Sequence, residues 1–240
     1  MIEVYYMSVL PLEAEEFFRQ AKGKIDAHRL QKVEQTKMIK DKLLRMEAGL
    51  LLQYAVKRRT EGTVTDSSAV ICRQLQVDEI LKTVGGPLDL SCAYGIQGKP
   101  YLEKFPEIYF SLSHSGEYAL CALSDTEIGA DIQQMCEEEN ANRHREEQIA
   151  ERQFSPEERE WMKAASTPEE RMHRFYRLWT AKEAYMKLTG QGLSQGMKNF
   201  AAVPGEKRIL DHHAPQKEIF LHELQVPVGY ASAVCVYGEN

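Results

Sequence analysis

One helix with both ends written into the sequence constrains this chain more than any other feature. Thr167-Pro-Glu-Glu170 puts a hydroxyl at the cap, proline in the first turn and glutamate three residues on, which is how helices start. Thr189-Gly190 stops it, because glycine takes the left-handed conformation that closes a helix. In between, Phe175, Trp179, Glu183 and Lys187 recur every four residues and stack on one face. The aromatic half of that face is expected to be buried. A carboxylate in the same row is costly there unless it meets a cation or a metal. The same spacing also fits a Glu183–Lys187 ion pair on a solvated face, worth ~0.2–0.5 kcal/mol.

The remaining elements are read more coarsely. Ser155-Pro-Glu-Glu158 repeats the start signal and predicts a preceding helix. Ile39, Leu43, Met46, Leu50 and Tyr54 predict a long helix over 37–59. Residues 69–84 read as a short helix ending near Gly85-Gly86-Pro87, after a turn-rich stretch at 62–68. Strands are expected at 2–9, 109–113, 118–123, 128–132, 219–224 and 230–237, with a loop at Gly95–Pro100. No internal repeat is visible, and the most plausible break is the polar turn Ser124-Asp-Thr126.

Composition narrows the class. At 240 residues, with 43% hydrophobic and 28% charged residues, the chain reads as an ordinary globular protein of one large or two small domains. No stretch approaches the ~18–20 apolar residues of a membrane span, and no secretory leader is visible. Five widely spaced cysteines without C-x-x-C argue against a disulfide scaffold or zinc ribbon and for a cytoplasmic setting. The net charge of −6 disfavours nucleic acid. It is unevenly spread. Residues 19–59 carry twelve Lys/Arg against four Asp/Glu, whereas 137–170 carry eleven acids against five bases. A basic N-terminal third on an acidic protein suits an anionic ligand or acidic partner, and equally suits solvated helix faces.

Two further segments carry chemistry. Ile128-Gly-Ala-Asp131-Ile-Gln133 sets an acid inside a short apolar strand, two residues from an amide, so both side chains share a face. Such oxygens suit Mg²⁺, which keeps waters and binds substrate phosphates. A strand-end aspartate capping a turn fits as well. Ser111-Leu-Ser113-His114-Ser-Gly116 offers hydroxyls and an imidazole that could hold a phosphate. P-loop and dinucleotide fingerprints are absent.

Taken in order, these segments resemble the 4′-phosphopantetheinyl transferases of the larger, surfactin-synthetase-activating type. The resemblance rests on Gly98-Lys99-Pro100, Phe110-Ser-Leu-Ser-His-Ser-Gly116, Ile128-Gly-Ala-Asp131-Ile and Phe154-Ser155-x-x-Glu158. It continues through Leu178-Trp179-Thr-Ala-Lys182-Glu183-Ala184-Tyr-Met-Lys187, Gly190-Gln-Gly-Leu-Ser194 and Val228-Gly-Tyr-Ala-Ser-Ala-Val-Cys235.

The resemblance implies an α+β fold of two similar subdomains, 1–126 and 127–240, related by a pseudo-twofold, with the site in the cleft between them and a monomeric protein. It implies a holo-[acyl-carrier-protein] synthase. A serine of an apo acyl or peptidyl carrier protein attacks the coenzyme A pyrophosphate and adenosine 3′,5′-bisphosphate leaves. Asp131, Glu183 and Gln133 would be the Mg²⁺ ligands, Gln133 standing where the family commonly has an acid. Glu183 would take the serine proton, and Lys187, with Lys182 nearby, would neutralise the leaving phosphate. Arg29, Lys32, Arg45, Lys99, Ser113 and His114 would contact the coenzyme A phosphates, with Gly49 matching the family's glycine after Arg45. Glu158 fits either an assisting role or its capping box. The competing expectations are a non-catalytic carrier-binding relative and an unrelated coenzyme A-dependent acyltransferase.

Overall fold

A computed structural model describes residues 1–62, 69–136 and 141–238. Residues 63–68 of the turn-rich stretch and 137–140 of the acidic run lie outside the described residues. The chain divides into two compact units, Met1–Thr126 and Glu127–Asn240. Each is α+β.

The first unit opens with β1 (Ile2–Met7), buried at every position. It is buried because it is interior to its sheet: β2 (Val70–Gln74) pairs with it in parallel and β6 (Tyr118–Ser124) antiparallel, giving the order β2-β1-β6-β5. A strand covered on both faces reads as a continuous apolar run, not an alternating one. The one acid in it, Glu3, is held by Arg59 Nε at 3.0 Å and by the Tyr5 hydroxyl at 2.8 Å. Helices α1 (Ala14–Ala21), α2 (Ala27–Gln35) and α3 (Ile39–Thr60) follow β1. The 22-residue α3 is buried from Leu43 to Val56 at every position but Arg45, because it lies between the sheet and the flanking helices.

The expected helix over 69–84 is a correction. Its first half is β2, and only Val77–Val84 is helical, as α4. The β-branched start of the segment pairs with a strand nearly seventy residues away, which local periodicity does not register. A small hairpin follows, β3 (Cys92–Tyr94) and β4 (Pro100–Leu102), turning through Gly95–Gly98. β5 (Tyr109–Ser115) then pairs with β6, and the pairing continues through His114 and Ser115, so the turn is at Gly116-Glu117.

The second unit opens with β7 (Ile128–Gln134). Three helices follow: α5 (Ala141–Gln153), α6 (Pro156–Lys163) and α7 (Pro168–Thr189). The closing strands are β8 (Phe200–Val203), β9 (Arg208–Asp211), β10 (Ile219–Glu223) and β11 (Tyr230–Tyr237), in the sheet order β7-β11-β10-β9-β8. Both start signals are used. Ser155 and Glu158 form a reciprocal capping box on α6. On α7 the Thr167 hydroxyl accepts from the Glu170 amide, while the Glu170 carboxylate reaches the Ser166 amide. Gly190 closes α7 in the left-handed conformation, at φ 73°. α7 lies across β7 and β11, with Phe175 stacked on Trp179 at 6.1 Å between ring centroids. Among the described residues no helix is long and apolar enough to cross a membrane, and all five cysteines are free thiols.

Candidate active site

In the second unit, β7 and α7 together carry five of the expected residues, Asp131 and Gln133 on the strand and Lys182, Glu183 and Lys187 on the helix. Asp131 is in the middle of β7, between β11 and the face of α7, and is 6% exposed. Its backbone carbonyl accepts from the Ser232 hydroxyl of β11 at 2.7 Å. Its carboxylate Oδ1 accepts from Lys187 Nζ, also at 2.7 Å. The row along α7 therefore sends its lysine across to the strand. Glu183, one turn before Lys187, is half-buried. Burial pushes its carboxyl above the usual range, the neighbouring Asp131 charge adds to this, and Lys187 pulls partly back. Gln133, two residues beyond Asp131 on β7, is partly exposed.

This donor set bears on a metal. Two carboxylates, of which Asp131 adds to the upward push on Glu183, with an amide oxygen two residues along the same strand, are hard oxygen donors whose repulsion a divalent cation would relieve. Among the described residues no group of three His, Cys, Asp or Glu could hold a metal. Gln133 offers an uncharged oxygen on the same strand. The set fits Mg²⁺, which demands few protein ligands.

Lys182 departs from expectation. Its ammonium is fully buried, donating to Glu158 Oε1 and to the Phe200 carbonyl, each at 2.8 Å. It lies over the Phe154 and Phe200 rings. Burial lowers its pKa and the Glu158 carboxylate opposes that. Lys182 points into the core of the unit, one hundred degrees around α7 from Glu183, so its ammonium faces Glu158 and the Phe200 carbonyl and not the row of Glu183 and Lys187. Glu158 is occupied too. One oxygen caps Ser155, and the other accepts from Lys182 and from the Ala202 amide at 2.6 Å.

In the first unit the basic candidates fall on three elements. Arg29 on α2 keeps an ion pair to Asp26 at 3.7 Å, and its stem crosses Gly49 of α3, where a Cβ would come within 2.7 Å of Arg29 Cδ. That close approach explains the glycine. Lys32, one turn on, donates to the Tyr94 hydroxyl of β3 at 3.3 Å. Arg45 is exposed on α3, and Lys99 is half-buried in the β3–β4 hairpin. On β5, Ser113 is buried and His114 exposed, as strand alternation requires.

Sequence reasoning passed over the positional role of Ser232. The signal available was a single serine in the otherwise apolar and aromatic run Tyr230–Tyr237.

Comparison with known proteins adds to this geometry. Residues 127–235, which include β7, α7 and β11, match the family model of the 4′-phosphopantetheinyl transferase superfamily. The chain is 36% identical over 144 residues to the 4′-phosphopantetheinyl transferase psf-1 of Bacillus pumilus, covering 58% of this chain and 57% of that one. It is 32% identical over 150 residues to a 4′-phosphopantetheinyl transferase of Bacillus subtilis, covering 60% and 62%. It is 31% identical over 172 residues to the 4′-phosphopantetheinyl transferase Sfp of Bacillus subtilis strain 168, covering 70% and 68%. The matched stretch thus spans a little over half the length of the first two.

Proposed function

The chain belongs to the 4′-phosphopantetheinyl transferase superfamily, and from this we propose that it transfers 4′-phosphopantetheine from coenzyme A to a serine of an apo acyl or peptidyl carrier protein, releasing adenosine 3′,5′-bisphosphate. The observation that carries the reading is the Asp131–Lys187 contact beside Glu183 on the adjoining strand and helix.

Asp131 and Glu183, with the Gln133 amide oxygen, would hold Mg²⁺. When bound, that ion supplies charge neutralisation at the pyrophosphate. The chain's own residues do the rest. Glu183 accepts the proton of the carrier serine. Its raised proton affinity suits a base that must gain a proton as the nucleophile attacks. Lys187 is the partly exposed cation of the group, with 31% of its side chain accessible. Its ammonium serves the departing phosphate, where charge develops. Arg29, Lys32, Arg45 and Lys99, with Ser113 and His114, take the coenzyme A phosphates. Five free thiols support a cytoplasmic setting. Action as a monomer is part of the same reading.

The test is the intact mass of an apo carrier protein after incubation with this protein, coenzyme A and Mg²⁺. The expected result is a gain of one phosphopantetheine that is lost in EDTA and in Glu183→Ala. Coenzyme A binding without a mass gain on acyl or peptidyl carriers would overturn the transferase reading in favour of a non-catalytic relative.

A further inference from the structure

Gly129 stands two residues before Asp131 on β7, and what closes around it is the backbone of α7. A Cβ added there would lie 2.0 Å from the Ala184 carbonyl oxygen, 2.2 Å from the Leu188 amide nitrogen and 2.8 Å from Leu188 Cα. All three are backbone atoms of α7, so no side-chain rearrangement relieves the clash. The glycine is not needed for its conformational freedom, since its φ lies outside the left-handed region. A strand residue there would ordinarily be better as alanine, because glycine weakens strands. What remains is the close approach itself. β7 is seated directly on one turn of the α7 backbone, the turn closed by Ala184 and Leu188.

That seat bears on the site by adjacency. Ala184 and Leu188 immediately follow Glu183 and Lys187. Asp131 shares the face of β7 that Gly129 presents to α7, since strand side chains repeat every two residues. The Ser232 hydroxyl fixes the same stretch from the other side, at the Asp131 carbonyl. Resting on the proposed transferase reading, we infer that Gly129 and Ser232 are positioning residues for Asp131. The missing side chain lets the strand reach the helix backbone, and the hydroxyl pins the peptide. Together they hold Asp131 at the separation from Glu183 and Lys187 that a shared divalent cation needs. An alanine at 129 must part strand and helix by about 1 Å or more, a displacement that costs on the order of 100-fold in a preorganised site.

The experiment compares Gly129→Ala, Ser232→Ala and Gly205→Ala. Gly205 is in the same unit and has nothing within 4 Å of an added Cβ. Each variant is checked for fold by circular dichroism. Mn²⁺ binding is measured by electron paramagnetic resonance without coenzyme A, and kcat and the coenzyme A KM are measured separately. Folded Gly129→Ala is expected to bind Mn²⁺ at least tenfold more weakly. Its kcat should fall about 100-fold with KM within about twofold. Ser232→Ala should shift both in the same direction by less, and Gly205→Ala should match the parent. If Gly129→Ala does not fold, Ser232→Ala alone decides. Parental Mn²⁺ affinity in a folded Gly129→Ala, or failing that in Ser232→Ala, overturns the inference. Loss of Mn²⁺ affinity in these variants, from a parent that modifies no carrier, would leave the positioning role standing and sink the transferase reading instead.

Discussion

Replacing Glu47 with glutamine should abolish a pH dependence of stability that the native chain carries. Glu47 lies in the middle of α3 with no exposure. Its Oε1 accepts from the Val9 amide at 2.8 Å, and the Ala119 amide is a second backbone donor. Its Oε2 is buried without a hydrogen-bond partner. Among the described residues no side-chain charge balances it, so burial outweighs the two amides and pushes the carboxyl from 4.5 to about 8. The folded chain therefore keeps a proton that the unfolded chain releases between those two values. Through that window stability falls as pH rises, by about 1.4 kcal/mol per pH unit. The full loss reaches ~4–5 kcal/mol by pH 8. Glutamine copies the protonated shape without an ionisation. Urea unfolding of both proteins at pH 5, 6, 7 and 8 should give a difference that grows by about 1.4 kcal/mol per unit in favour of Glu47→Gln. A difference that stays flat across that range would refute the reasoning, since it would mean the native carboxylate is already ionised.

The other expectations concern the second unit. Glu158→Ala leaves the Lys182 ammonium buried without its carboxylate and should cost about 3–5 kcal/mol in urea unfolding, whereas Glu158→Ala with Lys182→Met should recover much of it. Glu183→Gln should lower kcat for carrier modification by about 10²–10⁴-fold while coenzyme A affinity, read by calorimetry, stays within a few-fold. Gln133→Glu adds a charged oxygen beside Asp131 and should lower the Mg²⁺ concentration for half-maximal rate; no change or an increase would contradict the assignment of Gln133 to the metal.

The parts of this molecule that could be read from its sequence are those governed by local rules. Both ends of α7 follow from cap chemistry, and the row through Glu183 and Lys187 follows from helical period. Asp131 stood out because an acid in an apolar strand needs a reason. What escaped was set by distant partners. Lys182 adjoins Glu183 in sequence, yet its direction is decided by Glu158, 24 residues earlier, and by the Phe200 carbonyl. β2 was hidden because its parallel partner β1 lies at the other end of the unit's chain. Glu47 is an intermediate case. It falls on the stripe of Leu43, Leu50 and Tyr54, so periodicity marks it as buried, but nothing local tells that two backbone amides await it.

The Glu158 carboxylate ties the start of α6, the interior of α7 and the first residues of β8 into one joint. These segments are separated by long stretches of chain, and each would leave a polar group stranded if it ordered without the other two. The joint thus acts as a latch on cooperativity. Native-state hydrogen exchange should find the amides of Ser155 and Ala202 and the middle of α7 opening together, at the rate of the whole unit, not fraying one after another.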